Sequence, residues 1–495
     1  MADQRLLIYI KQSQDRGLAD EQIRQTLLKA YWAPAEIDDA FNAIKESKKK
    51  AAAPQPKEEK KGFLKKIGLF PSKAKGFVFR KKKSTANLDI YFGKKPVFGL
   101  DISDYSMEAI QLGGKKSIIK LEGLGRIILK PNIIRDGQIL QQDELSRSII
   151  SLLTNIKFGK IKTNEVVCSL PESQIFSHVF KFPANLKKEQ IKEALKYEAE
   201  GIIPMPIDRV YYDFLSISAE ENSEIAKEQE IFFVASPKNI VDSYTQVLLN
   251  AGLNPVALEN ESFSLSRSLF RETKIEIPKT AAGVPIPLRG TMILDLGART
   301  TNLAIVDRKG IRMAVNVRIA GDKFTEAVAQ ALGISLIEAD KMKREYGLSK
   351  DVRQGKQFIA LSALVNDIFE EIKKAISYYE GEKRGKITKI LLAGGSAQLP
   401  GLIDYFYTNL SGPINTDRGI AERIEIKVGN PWKGIEFQAD LAPKYLKENI
   451  DSVLDNIRTA LARRSILYAT AIGIALRAIT QDPAKAGINL LPNIK

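Results

Sequence analysis

The sequence is poor in the residues that most often carry redox and metal chemistry. Among its 495 residues are one cysteine, Cys168, and one histidine, His178. A single cysteine excludes an internal disulfide framework and is typical of a reducing compartment. A single histidine argues against histidine catalysis or a histidine metal site. The apolar pattern of 175–182 instead predicts that His178 is an ordinary strand residue.

Long apolar runs are also missing. The longest uncharged one, Ile466–Leu476, has 11 residues, too few to span a bilayer, and predicts a buried helix. The first residues, Met-Ala-Asp-Gln-Arg, lack a basic region followed by an apolar stretch, so no signal peptide is predicted. With 44% hydrophobic and 27% charged residues, the composition is that of a soluble protein of about two to four domains.

The net charge of +16 is concentrated in one segment. Residues 45–95 hold 17 Lys and Arg against 4 Asp and Glu, so the rest of the chain is close to neutral. Residues 47–95 are rich in Lys, Ala and Pro and predict a basic flexible linker. The charge therefore describes the linker and says little about the folded part.

Within the linker, residues 60–75 place Phe63, Leu64, Ile67 and Phe70 on one helical face among several lysines. This pattern fits an amphipathic segment on an anionic membrane surface, or a solvated linker with a few exposed apolar residues. Gly62 and Gly68 weaken the helix, and both interpretations stay open. Nucleic acid is not a predicted partner, because no base-stacking platform accompanies the lysines.

Residues 1–46 predict a small helical interaction module of three short helices. Asp20 can cap the second helix, and Pro34 suits the first turn of the third. The pattern resembles the ubiquitin-associated-like three-helix bundles. Protein contact and a packing appendage are both compatible with so small a core.

From residue 96 onward the pattern is α/β, and it contains a duplication. The strand around Asp101 (97–103) is followed by a second strand and Gly113-Gly114. The strand around Asp295 (292–297) is followed by a second strand and Lys309-Gly310. Two similar hairpins, each with an Asp at the same place, predict two related half-domains facing one cleft.

This pattern has a specific chemistry. Phosphate oxygens need close backbone N–H donors, and Mg²⁺ needs a carboxylate that organises its waters. An Asp at a strand end followed by a tight turn supplies both. A third element, the buried strand 387–393 running into Gly394-Gly395-Ser396, lets the backbone approach a nucleotide ahead of a helix that begins near Pro400.

Together these three elements resemble the phosphate-1, phosphate-2 and adenosine motifs of the actin/Hsp70-like ATPase fold, and within it the PilM family of type IV pilus assembly, relatives of the division protein FtsA. The resemblance covers residues 96–480. Further stretches carry it: 193–200 with 203–206 and 213–214, 321–325 with 339–343, 370–379, and 468–477.

The resemblance implies an α/β fold of two duplicated RNase H-like lobes around a nucleotide cleft, beside the N-terminal three-helix module. The domains it implies are a first lobe, a subdomain inserted in it, a second lobe, a part returning to the first lobe and a tail. Their bounds are 96–288, about 165–265, 289–425, 426–480 and 481–495.

The resemblance further implies ATP and Mg²⁺ in the cleft, with Mg²⁺ held through water by Asp101 and Asp295. Asp340 and Lys343 would lie on the ribose side, and Gly394, Gly395 and Ser396 would face adenosine. The residues implied to face phosphates and Mg²⁺ are Asp101, Ser103, Asp295, Gly297, Thr300 and Thr301.

Three positions depart from the family pattern: Ser103 replaces the usual Gly, Glu108 a frequent Lys, and Asp340 a frequent Glu. If Glu108 points inward, it adds negative charge near the phosphates; its strand position equally allows it to face solvent. We therefore expect ATP binding with weak or absent hydrolysis, and no residue stands out as a catalytic base.

The tail contains Ile488-Asn489-Leu490-Leu491-Pro492. This motif resembles the short cytoplasmic segment by which the membrane protein PilN docks into PilM. The hypothesis is that the tail occupies the partner groove, in cis or on a neighbouring copy, and competes with the partner. A frayed terminus with a coincidental motif is the alternative.

The function predicted is a cytoplasmic scaffold of pilus biogenesis, peripheral to the inner face of the membrane. It would bind ATP and dock the tail of a PilN-like inner-membrane protein, and could also contact other pilus machinery and itself. An FtsA-like membrane-tethered filament protein is the alternative. A kinase or hydrolase of the same fold is a third class, for which the sequence offers no distinctive base.

Overall fold

A computed structural model describes residues 96–115, 118–217, 228–270, 289–382, 385–410, 423–437 and 465–492, with parts of 10–44. The chain divides into two compact units, Met1–Phe79 and Arg80–Lys495. The predicted linker 47–95, with its basic island, lies outside the described residues. Within the described ranges, no helix is long and apolar enough to cross a membrane.

In the N-terminal unit, α1 (Asp20–Lys29) is a helix with helical residues on either side of it. Its Ile23 is buried together with Ile37 and Phe41. The guanidinium of Arg24 lies 4.6 Å from the centre of the Phe41 ring. The described part of this unit therefore has buried apolar side chains, one of which carries a cation–π contact.

The first lobe is built on one mixed sheet. Its order is β11-β7-β1-β2-β3-β17, and β6 also pairs with β3. The hairpin strands β1, β2 and β3 are antiparallel, whereas β7 and β11 continue the sheet in parallel with β1. The strands are β1 Phe98–Ile102, β2 Ser106–Lys115, β3 Ile118–Ile128, β6 Phe158–Gly159, β7 Glu165–Leu170, β11 Asn254–Asn260 and β17 Ile435–Glu436; β4 Ile134–Arg135 and β5 Gln138–Ile139 form a separate two-stranded ladder.

The second lobe repeats this plan in the order β14-β13-β12-β15-β16. Again the first three strands of the lobe, β12 to β14, are antiparallel. Strand β15 then pairs in parallel with β12, and β16 pairs in parallel with β15. Five strands of the first sheet thus have the same order as the five of the second, which confirms the duplication predicted from the two Asp hairpins. The strands are β12 Arg289–Leu296, β13 Thr301–Asp307, β14 Gly310–Val317, β15 Lys386–Ala393 and β16 Glu425–Val428.

Helices cover the sheets, as buried parallel strands require. A 26-residue helix, Lys356–Gly381, is the longest described one, and the strand Lys386–Ala393 agrees with the buried strand predicted at 387–393. The first-lobe helices are α2 Gln142–Thr154, α4 Lys238–Asn250 and α5 Glu261–Leu269; the second-lobe helices are α6 Gly321–Leu332, α7 Leu336–Tyr346, α8 Lys356–Gly381 and α9 Leu402–Leu410.

A small subdomain interrupts the first lobe. It consists of the three-stranded sheet β8-β10-β9 and the helix α3 (Lys188–Glu198). It is narrower than the predicted 165–265, because β7, β11 and α4 belong to the first lobe. Its strands are β8 Phe176–Pro183, β9 Val210–Ser216 and β10 Glu228–Pro237, and β8 contains His178 as predicted.

The chain returns to the first lobe through β17 and α10 (Ala469–Ala478). All ten residues of α10 are buried, in agreement with the predicted buried apolar helix. A β-carbon on its Gly473 would stand 1.8 Å from the carbonyl oxygen of Ser264 in α5, so the two helices pack backbone to backbone. The predicted boundary at 426 falls inside β16, which still pairs within the second sheet.

Candidate nucleotide site

Asp101 lies at the end of β1, with its carboxylate 7% exposed. The Ser169 hydroxyl, on the neighbouring parallel strand β7, donates to Asp101 Oδ1 at 2.7 Å and accepts from the Ile102 amide at 3.1 Å. Burial raises the pKa of Asp101 to about 6, although hydrogen bonds from the Ser169 hydroxyl and the Ile102 amide oppose the rise. The carboxylate is thus held at the carboxyl edge of the first sheet, and no Lys or Arg of the described residues opposes the effect of its burial.

Asp295 occupies the same place in the second lobe. Asp101 pairs across its hairpin with Glu108, and Asp295 pairs across its own with Asn302, at the same spacing along the chain. Burial, with the charges of Asp101 and Glu172, raises the Asp295 pKa to about 7, and a hydrogen bond from Asn302 opposes the rise. The Asp101 charge is among the causes of this rise, so the two carboxylates, one on each lobe, lie near each other.

Two further carboxylates, which the sequence did not predict as site residues, lie near Asp101 and Asp295. Glu172 follows β7, and its carboxylate accepts from the Ser262 amide at 3.0 Å. Glu261 begins α5, and its carboxylate accepts from Asn302 Nδ2 at 2.8 Å. Burial and the neighbouring carboxylates raise the Glu261 pKa well above its ordinary value. Both residues follow buried strands, and the carboxyl ends of parallel strands meet at one edge, so this signal was present in the sequence.

Glu108 points inward rather than to solvent. It is buried, and its Oε1 accepts from Arg126 Nε at 2.6 Å and from the Ser106 hydroxyl at 2.8 Å. Burial and the Asp101 charge raise the Glu108 pKa to about 7, while Arg126 opposes the rise. The structure therefore answers the question left open by the sequence: this position contributes a carboxylate to the site.

Ser103 is occupied by its own turn. Its hydroxyl donates to the Ser106 carbonyl at 3.0 Å and accepts from the Ser106 amide at 3.1 Å. Its backbone lies outside the left-handed region, so this turn does not require the glycine that the family pattern has there. The hydroxyl holds the turn closed, and its predicted phosphate contact stays a prediction.

The turn after Asp295 is tight. The Gly297 amide donates to the Thr300 carbonyl at 3.0 Å, and the Gly297 carbonyl accepts from the Gly321 amide at 3.2 Å. The Thr301 side chain is fully buried, and its hydroxyl donates to the Ile319 carbonyl at 2.6 Å. Thr300 is half-buried at the tip. Thr301 therefore ties the turn to the strand beyond β14, and its predicted phosphate contact is not tested.

The Gly394-Gly395-Ser396 element lies directly against this turn. Gly394 has φ +80°, and a β-carbon on it would stand 2.4 Å from Asp295 Oδ1. The Ser396 hydroxyl donates to the Gly297 carbonyl at 2.8 Å. A β-carbon on Gly395 would meet only Leu467 Cδ2, at an ordinary contact distance of 3.6 Å. The structure thus brings the second and third predicted motifs into contact.

Lys343 and Asp340 pair with each other on α7. The buried Lys343 Nζ lies 2.8 Å from Asp340 Oδ1 and donates to the Gly321 carbonyl at 3.0 Å and the Thr325 hydroxyl at 2.7 Å. Asp340 also accepts from Arg344 Nε at 2.7 Å. Lys343 therefore fastens α7 to the start of α6, behind the Gly297 turn. The ribose role predicted for both residues stays a prediction.

The site also contains buried polar atoms without hydrogen-bond partners. These are Asn260 Oδ1 and the Ser262 hydroxyl, both beside Glu172. Such atoms are costly unless a water or a ligand satisfies them. Among the residues that the structure describes, no three Asp, Glu, His or Cys side chains form a direct metal-binding group.

The tail segment is docked on the first lobe. Ile488 and Leu490 are 0% and 1% exposed and belong to the first-lobe core. The Leu490 amide donates to the Leu258 carbonyl at 2.9 Å, and Asn489 Oδ1 accepts from the Leu258 amide at 3.1 Å. The Asn489 amide donates to Asp213 Oδ2, on β9 of the inserted subdomain, at 2.9 Å. The tail therefore lies along the edge strand β11, where that strand meets the subdomain.

A buried ionic cluster holds the tail in place. Glu259 accepts from Arg267 Nη1 and Arg477 Nη1, each at 2.5 Å. Arg477 also donates to tail carbonyls, those of Pro483 at 2.7 Å and of Ile488. Burial alone would raise the Glu259 pKa, but the two guanidinium groups hold it at about 2. The carbonyls of the tail thus satisfy donors of a fully buried arginine.

Two sheets that share the order of five strands, each with an Asp near the end of the first strand of its hairpin, define an actin-like ATPase fold. The sequence model of the family described as "type IV pilus assembly protein PilM" matches residues 99–479. The chain belongs to this family of actin-like pilus assembly proteins.

The chain also resembles solved and curated proteins. A structure described as the PilM-PilN type IV pilus biogenesis complex aligns with a TM-score of 0.59 at 20% identity, over 77% of this chain and 98% of that one. The cell division protein FtsA of Enterococcus hirae is 24% identical over 190 residues, 34% of this chain and 40% of FtsA. MreB of Haemophilus influenzae is 37% identical over 83 residues, 15% of this chain and 24% of MreB. The chain therefore spans less than half of either curated relative.

Proposed function

We propose that this protein is a nucleotide-holding scaffold of the pilus machine, with ATP bound between the lobes. One observation carries the proposal: Asp101 and Asp295, from two equivalent hairpins, share one space into which Glu172 and Glu261 also project. The tight turn at Gly297 and the bare backbone at Gly394 and Gly395 suit phosphate and adenosine.

Mg²⁺ fits the chemistry of this space. Carboxylate oxygens are hard ligands, and Mg²⁺ commonly keeps several waters and binds through one or two carboxylates. Burial raises the pKa of both Asp101 and Asp295, and among the described residues only hydrogen bonds oppose the rise. Asp101 and Asp295 would hold a Mg²⁺ through water, and the cation would supply a counter-charge. The inward Glu108 lies close enough to Asp101 for the two charges to interact, so a cation would offset the negative charge of both.

The test is equilibrium binding of a fluorescent ATP analogue with Mg²⁺, together with mass spectrometry of nucleotide released from the purified protein. Asp295→Asn should weaken binding at least about tenfold through the loss of one carboxylate at the metal. Asp143→Asn, an exposed first-lobe residue, is the matched control. Equal affinity of all three proteins would remove the proposal. Steady turnover that a small metabolite stimulates would favour the kinase or hydrolase alternative.

We further propose that the groove between β11 and β9 receives the cytoplasmic tail of a PilN-like partner, and that the protein's own tail occupies it in cis. The bonds of Asn489 to Leu258 and Asp213 support this proposal, as does the burial of Ile488 and Leu490. Because one extended segment fills the groove, a partner segment of the same pattern would compete with the tail.

A labelled peptide of residues 487–493 tests this competition. A chain ending at residue 484 should bind it at least about tenfold more tightly than the full chain does, since the cis tail benefits from a high effective concentration. If the truncated chain does not fold, the full chain with Leu490→Ala is used in its place. It should also bind the peptide more tightly than the parent chain does. The Asn489→Ala peptide is the control. Unchanged affinity in both variants would refute competition.

We also propose that the protein is peripheral to the inner face of the cytoplasmic membrane, through residues 60–75. The support is the excess of Lys and Arg in 45–95 and the apolar positions among them. The protein should bind vesicles that contain anionic lipid and should not bind vesicles that lack it. Phe63→Asp with Leu64→Asp should abolish binding, whereas Ala51→Asp with Ala52→Asp, an equal charge change in the same segment, should keep most of it. Filaments formed with ATP would instead favour the FtsA-like alternative.

A further inference from the structure

The tips of the two phosphate hairpins touch each other through Arg299. This residue lies in the turn after Asp295, in the second lobe. Its Nε is 3.2 Å from Oδ2 of Asp104 and its Nη1 is 3.8 Å from Oδ1 of Asp136. Its guanidinium carbon lies 5.4 Å from the centre of the Tyr105 ring. Asp104, Tyr105 and Asp136 all belong to the first lobe, so one arginine spans the two lobes.

A second contact crosses at the same place. The Tyr105 hydroxyl donates to Oδ2 of Asp322, at the start of α6 in the second lobe, at 2.5 Å. That carboxylate oxygen is also 3.7 Å from Arg299 Nε. The Asp322 amide donates to the Ala298 carbonyl at 2.7 Å, which fixes Asp322 beside the arginine. Arg299 and Asp322 thus hold Tyr105 by its ring and by its hydroxyl.

The first-lobe side of the contact is rigid. Oδ2 of Asp104 accepts from the Asp136 amide at 2.7 Å, and its Oδ1 accepts from the Gly137 amide at 3.0 Å. Asp104 is therefore a fixed anchor. Its side chain is 13% exposed, against 24% for Arg299, so the pair is partly shielded from solvent. Shielding makes the ion pair stronger than an open surface pair.

The charges around Arg299 determine how the lobes respond when the contact is lost. One guanidinium faces three carboxylates, two on the first lobe (Asp104 and Asp136) and one on the second (Asp322). Without the guanidinium, like charges would face each other across the junction. Loss of Arg299 would therefore both remove an attraction and expose a repulsion between the lobes.

We propose that Arg299 and Tyr105 form a latch that closes the phosphate end of the cleft and limits nucleotide exchange. Both residues follow the hairpin aspartates within four residues, so the latch lies at the rim beside the phosphates. The proposal rests on nucleotide binding between the lobes. A bound nucleotide that is trapped between the hairpins can leave only after the latch opens.

The first experiment measures dissociation of a fluorescent ATP analogue from the full chain by chase with unlabelled ATP. Arg299→Ala should speed release about tenfold or more, through the loss of the ion pairs and of the ring contact. Tyr105→Phe keeps the ring and loses only the bond to Asp322, so it should speed release by less. Arg147→Ala, which removes an arginine paired with Glu144 inside one lobe, is the control and should match the parent.

The second experiment does not depend on nucleotide. Spin labels at Asp143→Cys and Lys341→Cys, exposed residues of the two lobes, report the distance between the lobes in a Cys168→Ser background. Arg299→Ala should lengthen and broaden this distance. If no protein binds nucleotide but the distance responds, the proposed function fails together with the role in nucleotide exchange, and only the bridge between the lobes is supported. An unchanged distance together with release within about twofold of the parent would overturn the latch.

Discussion

Gly394 lies so close to the carboxylate of Asp295 that a β-carbon on Gly394 would stand 2.4 Å from Asp295 Oδ1. The same β-carbon would stand 2.5 Å from the Leu296 carbonyl oxygen. Glycine at this position therefore makes room for the aspartate. It joins the end of β15 to the turn after β12, which places two motifs that are about a hundred residues apart into one site.

Gly394→Ala should lower both stability and nucleotide affinity. The methyl group meets backbone as well as a carboxylate, and the residue has φ +80°, which costs an L-residue about 1–2 kcal/mol. With the clash included, we expect a loss of at least about 2 kcal/mol, or roughly 4 °C in the melting temperature. Gly395→Ala is the matched control, and a loss as large in that variant would contradict this account.

The pKa of Asp295 makes stability depend on pH. Its folded value of about 7 is above the ordinary 3.8, so the carboxyl group favours the folded state when protonated. The stabilisation that the protonated carboxyl group gives to the folded state is fully present below about pH 4 and is lost as the pH rises through about 7. Asp295→Asn should therefore raise the melting temperature of the nucleotide-free protein at pH 8, by about 2 °C or more, and have little effect at pH 4. A lower melting temperature at pH 8 would show that the carboxylate stabilises the fold.

Glu108 should oppose nucleotide binding when Mg²⁺ is absent. Its pKa of about 7 makes it ionised at pH 8 and largely neutral at pH 6. With a chelator present, Glu108→Gln should increase ATP affinity about threefold to tenfold at pH 8 and leave it nearly unchanged at pH 6. Glu144→Gln, which likewise removes a carboxylate paired with an arginine of the first lobe, is the control. An equal gain at both pH values would exclude the charge as the cause.

Glu259 should be essential to the first lobe. It is fully buried between Arg267 and Arg477, so Glu259→Gln leaves two cations without their shared anion. We expect a loss of roughly 3–5 kcal/mol in the free energy of unfolding, measured by denaturant titration. Because Arg477 also binds the tail, the variant should release residues 483–492, seen as faster amide hydrogen exchange there. Protection that persists in the tail would show that its apolar contacts suffice.

The duplication of the Asp hairpins was predictable from the sequence because it depends on local periodicity and on repetition. The apolar runs around Asp101 and Asp295 are alike, and both fold into hairpins with the same pairing. The boundary of the inserted subdomain was less predictable. Strands β7 and β11 flank the insertion, and only their pairing with β1 and with each other assigns them to the first lobe.

The candidate site was predictable in part for the same reason. Asp101, Asp295 and the Gly394 element follow strand ends in recognisable patterns. Glu172 and Glu261 also follow strand ends, but no glycine or repeat distinguishes them from other carboxylates. The orientation of Glu108 and the engagement of Thr301 depended on sheet pairing, because a strand position alone does not say which face is covered.

The sequence by itself determined the duplicated hairpins, the family and the concentration of charge in the linker, because short-range patterns of apolar, glycine and lysine residues encode them. The tertiary structure alone decided which carboxylates share one space, that Arg299 bridges the lobes, and that the tail lies against Leu258 and Asp213. Those contacts join residues far apart in the chain, and only the packing of the two lobes and the inserted subdomain brings them within bonding distance.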